Sequence, residues 1–256
     1  MVMEKLNYYW RLFATANAYV FFGIGCVLVP LFVLPLYLFI RNQHTRQKTT
    51  RLLVHWTFRG YIHLLKLMRI TDWEVQGIES LKRQGKLVIS NHPTLLDVVF
   101  LIAFMPNADC IIKSGILKNP VMSVIVSLAG YIKNDGGPLL IEDAKKSLNC
   151  GNSLIIFAEG TRTKQDEKIS FLRGAANIII RTKTAPTPVI INCFPKTLSK
   201  GIKWYDIPNK KFNLTIRVLG EMEINRFLML PAAIGARELT NHMEVFFRKE
   251  VALNEH

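Results

Sequence analysis

The sequence predicts an α/β fold with a mainly parallel sheet flanked by helices, preceded by a hydrophobic two-helix membrane anchor. Two observations predict it. The chain before residue 71 is apolar and then amphipathic, whereas the chain after Asp72 alternates short apolar runs with helical ones. Such alternation is typical of parallel strands joined by helices. We therefore divide the chain into a membrane-anchoring segment, residues 1–70, and an α/β domain, residues 71–256.

The first predicted element is a membrane helix. Residues 15–40 include no charged side chain, and this run is about as long as the ~20 residues that cross a hydrocarbon core. Pro30 and Pro35 would kink a spanning helix, so spanning and re-entrant arrangements both stay open. The denser basic cluster, residues 41–51, follows the run. The positive-inside rule therefore places the rest of the chain in the cytoplasm.

The second predicted element is an amphipathic helix over residues 45–70. It mixes apolar side chains with the basic residues Arg51, Arg59, Lys66 and Arg69. This composition is typical of a helix that lies on an anionic membrane interface. A helix that packs on the core and keeps its basic side in solvent is the alternative.

Composition and charge also point to a membrane surface. Half of the residues are hydrophobic, yet the formal net charge is +14, and soluble basic proteins normally lack so much apolar content. The chain has no arginine-rich arm, zinc-finger spacing or aromatic-flanked basic strand, so we expect no nucleic-acid partner. The four cysteines have no metal-ligand spacing, and we expect them to be reduced core thiols.

The remaining elements are five strands and five helices. The strands are short apolar runs, and the helices have apolar residues at helical spacing. The predicted strands are 87–90, 110–113, 153–157, 187–193 and 212–219. The predicted helices are 95–105, 121–128, 141–150, 174–183 and 231–249, the last of which closes the domain.

A histidine and an aspartate follow the strand at 87–90, in the sequence SNHPTLLD at residues 90–97. Ligands of open α/β sheets bind at this edge. Pro93 disfavours helical geometry at His92 and suits the first helical position, so the turn lets His92 and Asp97 converge. A carboxylate on one imidazole nitrogen leaves the other free to accept a proton, which makes His92 a candidate general base. For a lone histidine, helix capping or a satisfied core position is the alternative.

A second polar segment, FAEGTR at residues 157–162, follows the strand at 153–157 and belongs at the same edge. Arg162 can fork onto a phosphate or carboxylate, Gly160 lets backbone approach a ligand, and Glu159 can accept from Arg162 or from a substrate hydroxyl. A solvated turn explains Thr161 equally well. Since no serine or cysteine lies in a nucleophile elbow, direct attack by a substrate hydroxyl is favoured over a covalent intermediate.

Together these segments resemble the glycerolipid acyltransferase family, which contains the 1-acylglycerol-3-phosphate acyltransferases. The resemblance covers about residues 91–188. His92 and Asp97 resemble the family's first motif, His-x4-Asp, and residues 159–162 resemble its third, Glu-Gly-Thr-Arg. The two N-terminal helices resemble its membrane anchor. Supporting matches are Lys113 with Leu117 and Pro120, residues 171–175, and Pro188.

The resemblance implies roles for the matching residues. His92 and Asp97 would form a catalytic dyad that moves a fatty acyl group from acyl-CoA or acyl carrier protein to a hydroxyl of a lysophospholipid such as 1-acylglycerol-3-phosphate. No cofactor and no metal is implied. Backbone N–H groups at the start of the helix near Thr94, or near Gly160, are candidates to stabilise the oxyanion. The acceptor and its phosphate would be bound by Lys113, Glu159, Gly160, Thr161 and Arg162.

The family's second motif, Gly-x-Ile-x-Ile-x-Arg, is incomplete. It aligns with residues 130–136, where Gly136 stands in place of the arginine. Lys133 offers a substitute charge, although strand alternation need not aim it the same way. Because that arginine is associated with the acceptor, a specialised membrane lipid, such as a glycolipid or a polyene conjugate, is the alternative acceptor. A catalytically silent, membrane-anchored lipid-binding protein is the alternative from another class.

The charge and the resemblance together predict where the protein works. A lipid acceptor would enter from the bilayer, and acyl-CoA or an acidic carrier protein would arrive from the aqueous side, so a basic surface serves both. We expect a bacterial inner-membrane location, with the catalytic domain on the cytoplasmic face.

Overall fold

The computed structural model describes residues 2–135, 137–164 and 167–253. These form a seven-stranded sheet in the order β1-β7-β6-β2-β5-β3-β4, with helices on both faces. The strands are β1 (Thr71–Gln76), β2 (Leu87–Ser90), β3 (Ala108–Lys113), β4 (Ile132–Asn134), β5 (Ser153–Phe157), β6 (Pro186–Phe194) and β7 (Phe212–Val218). The helices are α1 (Val2–Phe39), α2 (Gln43–Leu67), α3 (Asp97–Phe104), α4 (Pro120–Ala129), α5 (Pro138–Asn149), α6 (Arg173–Thr182), α7 (Asn225–Leu228) and α8 (Ala232–Ala252).

The predicted mainly parallel sheet is confirmed, with additions at both edges. Every described strand pair is parallel except β6 with β7, and β7 runs parallel to β1. The sequence interpretation missed β1 because it reads TDWEVQ, in which polar and apolar residues mix on a half-buried edge strand. It missed β4 because that strand has three residues, two of them exposed. The central strands β2 and β5 end where they were predicted to end.

The core has one apolar layer on each face of the sheet. Along β2, Val88 packs with α1, α2 and α3, whereas Leu87 and Ile89 pack with α6 and α8. Successive side chains of a strand point to opposite faces, so one continuous apolar run serves both layers. The site described below lies at the end of this doubly buried strand.

Helix α1 is a single helix that continues through both prolines. At 1.5 Å per residue, its 38 residues extend roughly 57 Å, and it begins well before residue 15, where the uncharged run starts. Among the described helices it alone has the length and apolar composition to cross a membrane, and 18% of its most apolar window is buried. Most of its apolar surface is therefore uncovered, including Phe13, Val20, Leu31 and Phe39.

Helix α2 packs against α3, and its basic residues do not all face outward. Trp56 is exposed, with the Arg59 guanidinium 5.9 Å from its ring centre. Arg51, which the sequence interpretation counted with the interfacial charges, is buried instead. The amphipathic pattern is real, but α2 also has a polar contact inside the protein. Its use as a membrane anchor together with α1 stays a prediction, as does the functional division at residue 70.

The Arg51 side chain ties α2 to the sheet. Its Nη2 lies 3.1 Å from Oδ2 of Asp109 on β3, and its Nε donates to the Ala129 carbonyl at the end of α4, at 2.8 Å. Ser147 of α5 donates to the same Asp109 oxygen at 2.6 Å. Burial raises the pKa of Asp109, and the Arg51 charge opposes that rise. One buried ion pair therefore holds four elements together.

Candidate active site

The site lies at the carboxyl edge of the parallel strands. Ser90 ends β2, Phe157 ends the neighbouring strand β5, and Lys113 ends β3, which is next along the sheet. Because these strands run in the same direction, the residues that follow them meet at one edge. The two polar segments of the sequence are therefore brought together here.

The imidazole of His92 and the carboxylate of Asp97 are in contact, as the strand-to-helix turn was expected to allow. His92 Nδ1 lies 2.8 Å from Asp97 Oδ2. Asp97 is the first residue of α3 and is fully buried, whereas the His92 side chain is 16% exposed. Thr94 donates to Asp97 twice, through its N–H and through its hydroxyl. These bonds fix the carboxylate, so it can hold one imidazole tautomer.

The second ring nitrogen of His92 is available to a ligand. Among the described residues, Nε2 has no hydrogen-bond partner. The Phe157 ring stacks on the imidazole, with the ring centres 4.2 Å apart and the planes 23° from parallel. Phe157 thus covers one face of the ring and limits its rotation. An imidazole with one nitrogen held by a carboxylate and the other open is suited to take up a proton.

Asn91 fixes the backbone just before His92. Its side-chain amide donates to the Ile191 carbonyl at 2.7 Å, and its Oδ1 accepts from the Ile191 N–H at 2.8 Å, so it pairs with β6 as another strand residue would. The sequence interpretation gave no role to the side chains of Asn91 and Thr94. The only available signal was that both lie inside the polar segment.

Glu159 holds His92 through its main chain. Its Oε1 accepts from the His92 N–H at 2.8 Å, and its Oε2 accepts from the Thr163 hydroxyl at 2.7 Å. The Thr163 N–H in turn donates to the His92 carbonyl at 2.9 Å. We expected Glu159 to accept from Arg162 or from a substrate hydroxyl. The structure corrects the first expectation, because Arg162 bonds elsewhere and both carboxylate oxygens already have protein partners.

The Glu159 carboxylate is buried, and burial raises its pKa. The bonds from Thr163 and from the His92 N–H oppose that rise. These two hydrogen bonds stabilise the Glu159 carboxylate, whereas its burial disfavours the charge. Its position between the two polar segments makes Glu159 a residue that positions His92.

Gly160 and Arg162 place the second polar segment, residues 157–162, against the loop after β6. Gly160 has φ +65°, and a Cβ there would come within 2.6 Å of a Leu172 methyl, so any other residue is strained. Arg162 Nη1 donates to the Leu198 carbonyl at 2.8 Å. A guanidinium has five N–H donors, so Arg162 keeps donors for an anionic ligand. Thr161 is exposed next to it.

Lys113 and Lys133 lie further along the same edge. Lys113 is exposed at the end of β3, two strands from β2, which corresponds to roughly 10 Å at the usual strand spacing. Lys133 is exposed on β4 opposite Ile112. The structure does not bring either lysine into contact with His92 or Asp97. Gly136, where the second motif has arginine in the family pattern, lies outside the described residues.

The backbone N–H groups near Thr94 are not available for an oxyanion. Those of Thr94 and Leu96 donate to side-chain oxygens within the turn, and that of Leu95 donates to the Leu198 carbonyl. The Gly160 N–H donates to Phe157. The first of our two expected positions, near Thr94, is corrected because the turn that orients Asp97 uses its own donors, whereas the second, near Gly160, stays a prediction. In the described part of the site, the N–H groups of residues 161 and 162 have no protein acceptor.

A cavity of about 400 Å³ opens beside the dyad, between the sheet and helices α1 and α2. Leu95 and Leu96, which lie between His92 and Asp97 in the chain, form part of its wall. The rest of the wall is almost entirely apolar and includes Phe22, Val99 and Val126. Its size is within the usual range for small-molecule sites. The two residues of the dyad thus lie next to an apolar cavity, part of whose wall is formed by Leu95 and Leu96.

No candidate metal site is found in the part of the chain that the structure describes, where no three His, Cys, Asp or Glu side chains are grouped to hold an ion. Each cysteine is free, but the expectation of a core thiol is wrong for Cys150, which is exposed. Burial raises the pKa of the Cys110 thiol to about 12, which keeps it protonated and unreactive.

The chain is similar to known acyltransferases in sequence. Residues 72–192 match the family model described as Acyltransferase. A 1-acyl-sn-glycerol-3-phosphate acyltransferase of Helicobacter pylori is 31% identical over 144 residues, which is 53% of this chain and 61% of the relative. The chloroplastic enzyme LPAT1 of Arabidopsis thaliana, of the same description, is 27% identical over 50% of this chain and 38% of its own length. The chain thus matches between about two fifths and three fifths of these relatives.

The fold is also similar to a solved structure, that of the 1-acyl-sn-glycerophosphate (LPA) acyltransferase PlsC from Thermotoga maritima. The TM-score is 0.69 at 18% identity, and the match covers 96% of this chain and 97% of that one. The sequence matches begin at the first strand and include both polar segments, His92 with Asp97 and residues 159–162. Residues 72–192 are thus similar in sequence to the Acyltransferase family, and the fold of the whole chain is similar to that of PlsC.

Proposed function

We propose that this protein is an O-acyltransferase that moves a fatty acyl group from a thioester to the hydroxyl of a lysophospholipid such as 1-acylglycerol-3-phosphate. The observation that carries the proposal is the 2.8 Å contact between His92 and the buried Asp97, with the other imidazole nitrogen open beside an apolar cavity. The names of the relatives support this choice of acceptor. Acyl-CoA and acyl carrier protein are both proposed as donors.

In the proposed reaction His92 acts as a general base. Nε2 removes the proton of the acceptor hydroxyl as its oxygen attacks the thioester carbonyl, and Asp97 stabilises the resulting imidazolium. The tetrahedral intermediate then collapses, the carbon–sulfur bond breaks, and the imidazolium returns the proton to the leaving thiolate. Acyl group and proton are thus conserved without a covalent enzyme intermediate.

The oxyanion of the intermediate needs donors that the folded chain has not already used. The N–H groups of Thr161 and Arg162 meet this requirement, and they follow Gly160 on the segment that Glu159 ties to His92. We assign oxyanion stabilisation to this segment. The removal of one such donor in other enzymes costs about 100-fold or more in turnover.

The cavity is proposed to hold the acyl chain. An alkyl chain gains free energy when it leaves water for an apolar wall, at roughly 0.8 kcal/mol for each buried methylene group. The wall beside Leu95 and Leu96 begins next to the dyad, so a chain bound there would present its thioester to the imidazole.

The acceptor's phosphate is proposed to bind Arg162 and Lys113. Arg162 is held by the Leu198 carbonyl through Nη1 and has further donors for a phosphate. Lys113 has no protein partner among the described residues and extends from the same sheet edge. A specialised acceptor, such as a glycolipid or a polyene conjugate, is the second candidate because Gly136 stands where the family pattern has arginine.

The membrane location is also a proposal. Helix α1 has the length and composition of a spanning helix and leaves most of its apolar surface uncovered, and α2 adds exposed Trp56 beside Arg59. Together they would anchor the protein to a bacterial inner membrane with the site on the cytoplasmic face.

The test is acyl transfer by detergent-purified protein offered lysophosphatidic acid with acyl-CoA or acyl carrier protein as donor. Product formed by the wild type and by His242→Ala, a control on α8, but not by His92→Ala, supports the proposal and identifies the donor. If wild type alone slowly hydrolyses the thioester, the dyad works and the acceptor is a different lipid. Equal activity in wild type and His92→Ala would rule out the mechanism. If no protein shows acyl transfer or thioester hydrolysis, a lipid-binding protein is favoured.

A further inference from the structure

The loop between β6 and β7 has an unusual surface. Residues 195–211, here called the lysine-aromatic loop, contain five lysines against one acidic residue, Asp206. Trp204 is 44% exposed and Tyr205 is 47% exposed, although large aromatic side chains are normally buried. The Lys203 ammonium lies 5.4 Å from the centre of the Tyr205 ring. Cations beside exposed aromatic rings are typical of protein surfaces at the headgroup level of a membrane.

The loop is attached to the apolar helix α1 at two points. The rings of Trp204 and Tyr19 lie 5.9 Å apart, and Arg11 donates to the Asn209 carbonyl. Arg11 and Tyr19 are eight residues apart, so the loop follows α1 for roughly 12 Å. The contacted part of α1 continues into its exposed aromatic end, where Tyr9 and Trp10 lie. The loop and α1 thus share one exposed surface.

The same loop also forms a wall of the apolar cavity. Leu198, Ile207 and Pro208 line the cavity, as do α1 residues that include Thr15 and Tyr19. The base of the loop binds Arg162 through the Leu198 carbonyl. A surface that contacts the loop therefore lies close to the cavity and to Arg162.

We propose that the lysine-aromatic loop is a second membrane-contacting element, which binds the headgroups of anionic phospholipids through Lys200 and Lys203 and inserts Trp204 and Tyr205 at the interface. This proposal rests on the membrane location proposed above. An acidic carrier protein would match the lysines, but it gives no reason for two exposed aromatic rings that continue the apolar surface of α1. The charge and the aromatic rings together fit an anionic lipid surface.

The first test is depth-dependent fluorescence quenching of the full-length protein reconstituted into phosphatidylglycerol vesicles with brominated lipids. Trp204→Phe is compared with wild type, and the difference in quenched fluorescence between the two proteins gives the contribution of Trp204. We expect the intensity quenched by lipids brominated near the glycerol end to fall in Trp204→Phe. It should stay unchanged in Trp73→Phe, which removes a ring packed against Phe100. No difference between wild type and Trp204→Phe overturns the proposal. This readout needs no catalysis, so it stands even if the proposed reaction is wrong.

The second test measures the role of the lysines. The variant is Lys200→Glu combined with Lys203→Glu, and the quantity measured is kcat/KM for acceptor in phosphatidylglycerol vesicles divided by kcat/KM for acceptor in phosphatidylcholine vesicles. We expect this ratio to fall at least about fivefold, since each lysine near an anionic membrane surface contributes strongly to binding it. The matched control is Lys145→Glu with Lys146→Glu, exposed on α5 on the opposite face of the sheet, which should keep the preference. A raised KM for acyl carrier protein with an unchanged lipid preference overturns the proposal.

Discussion

The two halves of the proposed site are built in different ways. At the sheet edge, hydrogen bonds of 2.7 to 2.9 Å join four residues in or next to the two polar segments: His92, Asp97, Glu159 and Thr163. In the cavity beside it, side chains from α1, α2, α3, α4 and the lysine-aromatic loop meet by apolar packing. The polar half is held by directed hydrogen bonds, whereas the cavity is held by the volumes of its apolar side chains.

This difference predicts how each half fails. A hydrogen-bonded group loses its function when one atom is changed, because an unsatisfied or misdirected partner remains. An apolar wall changes gradually, since it depends on volume rather than on direction. Substitutions at the dyad should therefore abolish turnover, and substitutions in the cavity should alter which acyl chain is used.

The largest effect is expected for Asp97→Asn. An amide in place of the carboxylate can hold the wrong imidazole tautomer and cannot stabilise the imidazolium, so turnover should fall by about 100-fold or more while KM changes little. Acyl-transfer kinetics of the purified variant provide the measurement, with circular dichroism as a check of folding. A loss confined to KM would show that Asp97 does not act through His92.

A large loss of stability is expected for Arg51→Met. It leaves Asp109 buried without its cation, and breaking such a pair typically costs about 3–5 kcal/mol in free energy of unfolding. Thermal or denaturant unfolding in detergent measures the loss. Arg51→Met combined with Asp109→Leu should recover much of it, because no unpaired charge then remains. A single variant as stable as wild type contradicts the buried ion pair.

A smaller effect, on selectivity alone, is expected for Gly25→Leu. Gly25 lines the cavity from α1, and a Cβ there would be in ordinary contact with a Thr57 methyl at 3.6 Å. The added side chain should shorten the space, so that preference shifts about tenfold toward shorter acyl donors. Gly23→Leu, at an exposed position on the same helix, is the matched control. The same shift in acyl-donor preference in both variants would show that the acyl chain does not bind in this cavity.

The smallest effect is a pH dependence from Glu159. Its pKa in the folded protein is raised by burial above the ordinary value of 4.5, so the folded state keeps the proton to higher pH than the unfolded state. The free energy of unfolding should therefore fall as pH rises from 4.5 through the raised pKa. Glu159→Gln does not titrate and should lack this part of the fall. Denaturant unfolding at several pH values compares the two, and parallel pH profiles would refute the shift.

The sequence predicted the hydrogen-bonded half far better than the apolar half. His92 and Asp97 are five residues apart, and the strand and proline around them restrict the backbone enough to predict their contact. The partners of Glu159 were harder, because the side chain turns toward the His92 main chain, which no residue pattern records. Asn91 and Thr94 show the same limit, since their bonds depend on the geometry of the turn.

The rest of the fold depended on contacts distant in sequence. Arg51 looks like an interfacial arginine until Asp109, 58 residues away, is placed beside it. The antiparallel direction of β7 and the polar edge strand β1 are set by their neighbours rather than by local propensity. The cavity has no sequence signature, because its walls come from elements throughout the chain.

The place of β1 in the sheet also constrains the order in which the newly made chain can assemble. Its only neighbour among the described strands is β7, which leaves the ribosome some 141 residues later. At about 5–20 residues per second, synthesis of that stretch takes roughly 7 to 28 seconds, during which α1 has already been synthesised. With the membrane location proposed above, α1 would reach the bilayer before the sheet is complete. The polar residues that made β1 hard to recognise in the sequence are of the kind that disfavours edge-to-edge pairing with other chains.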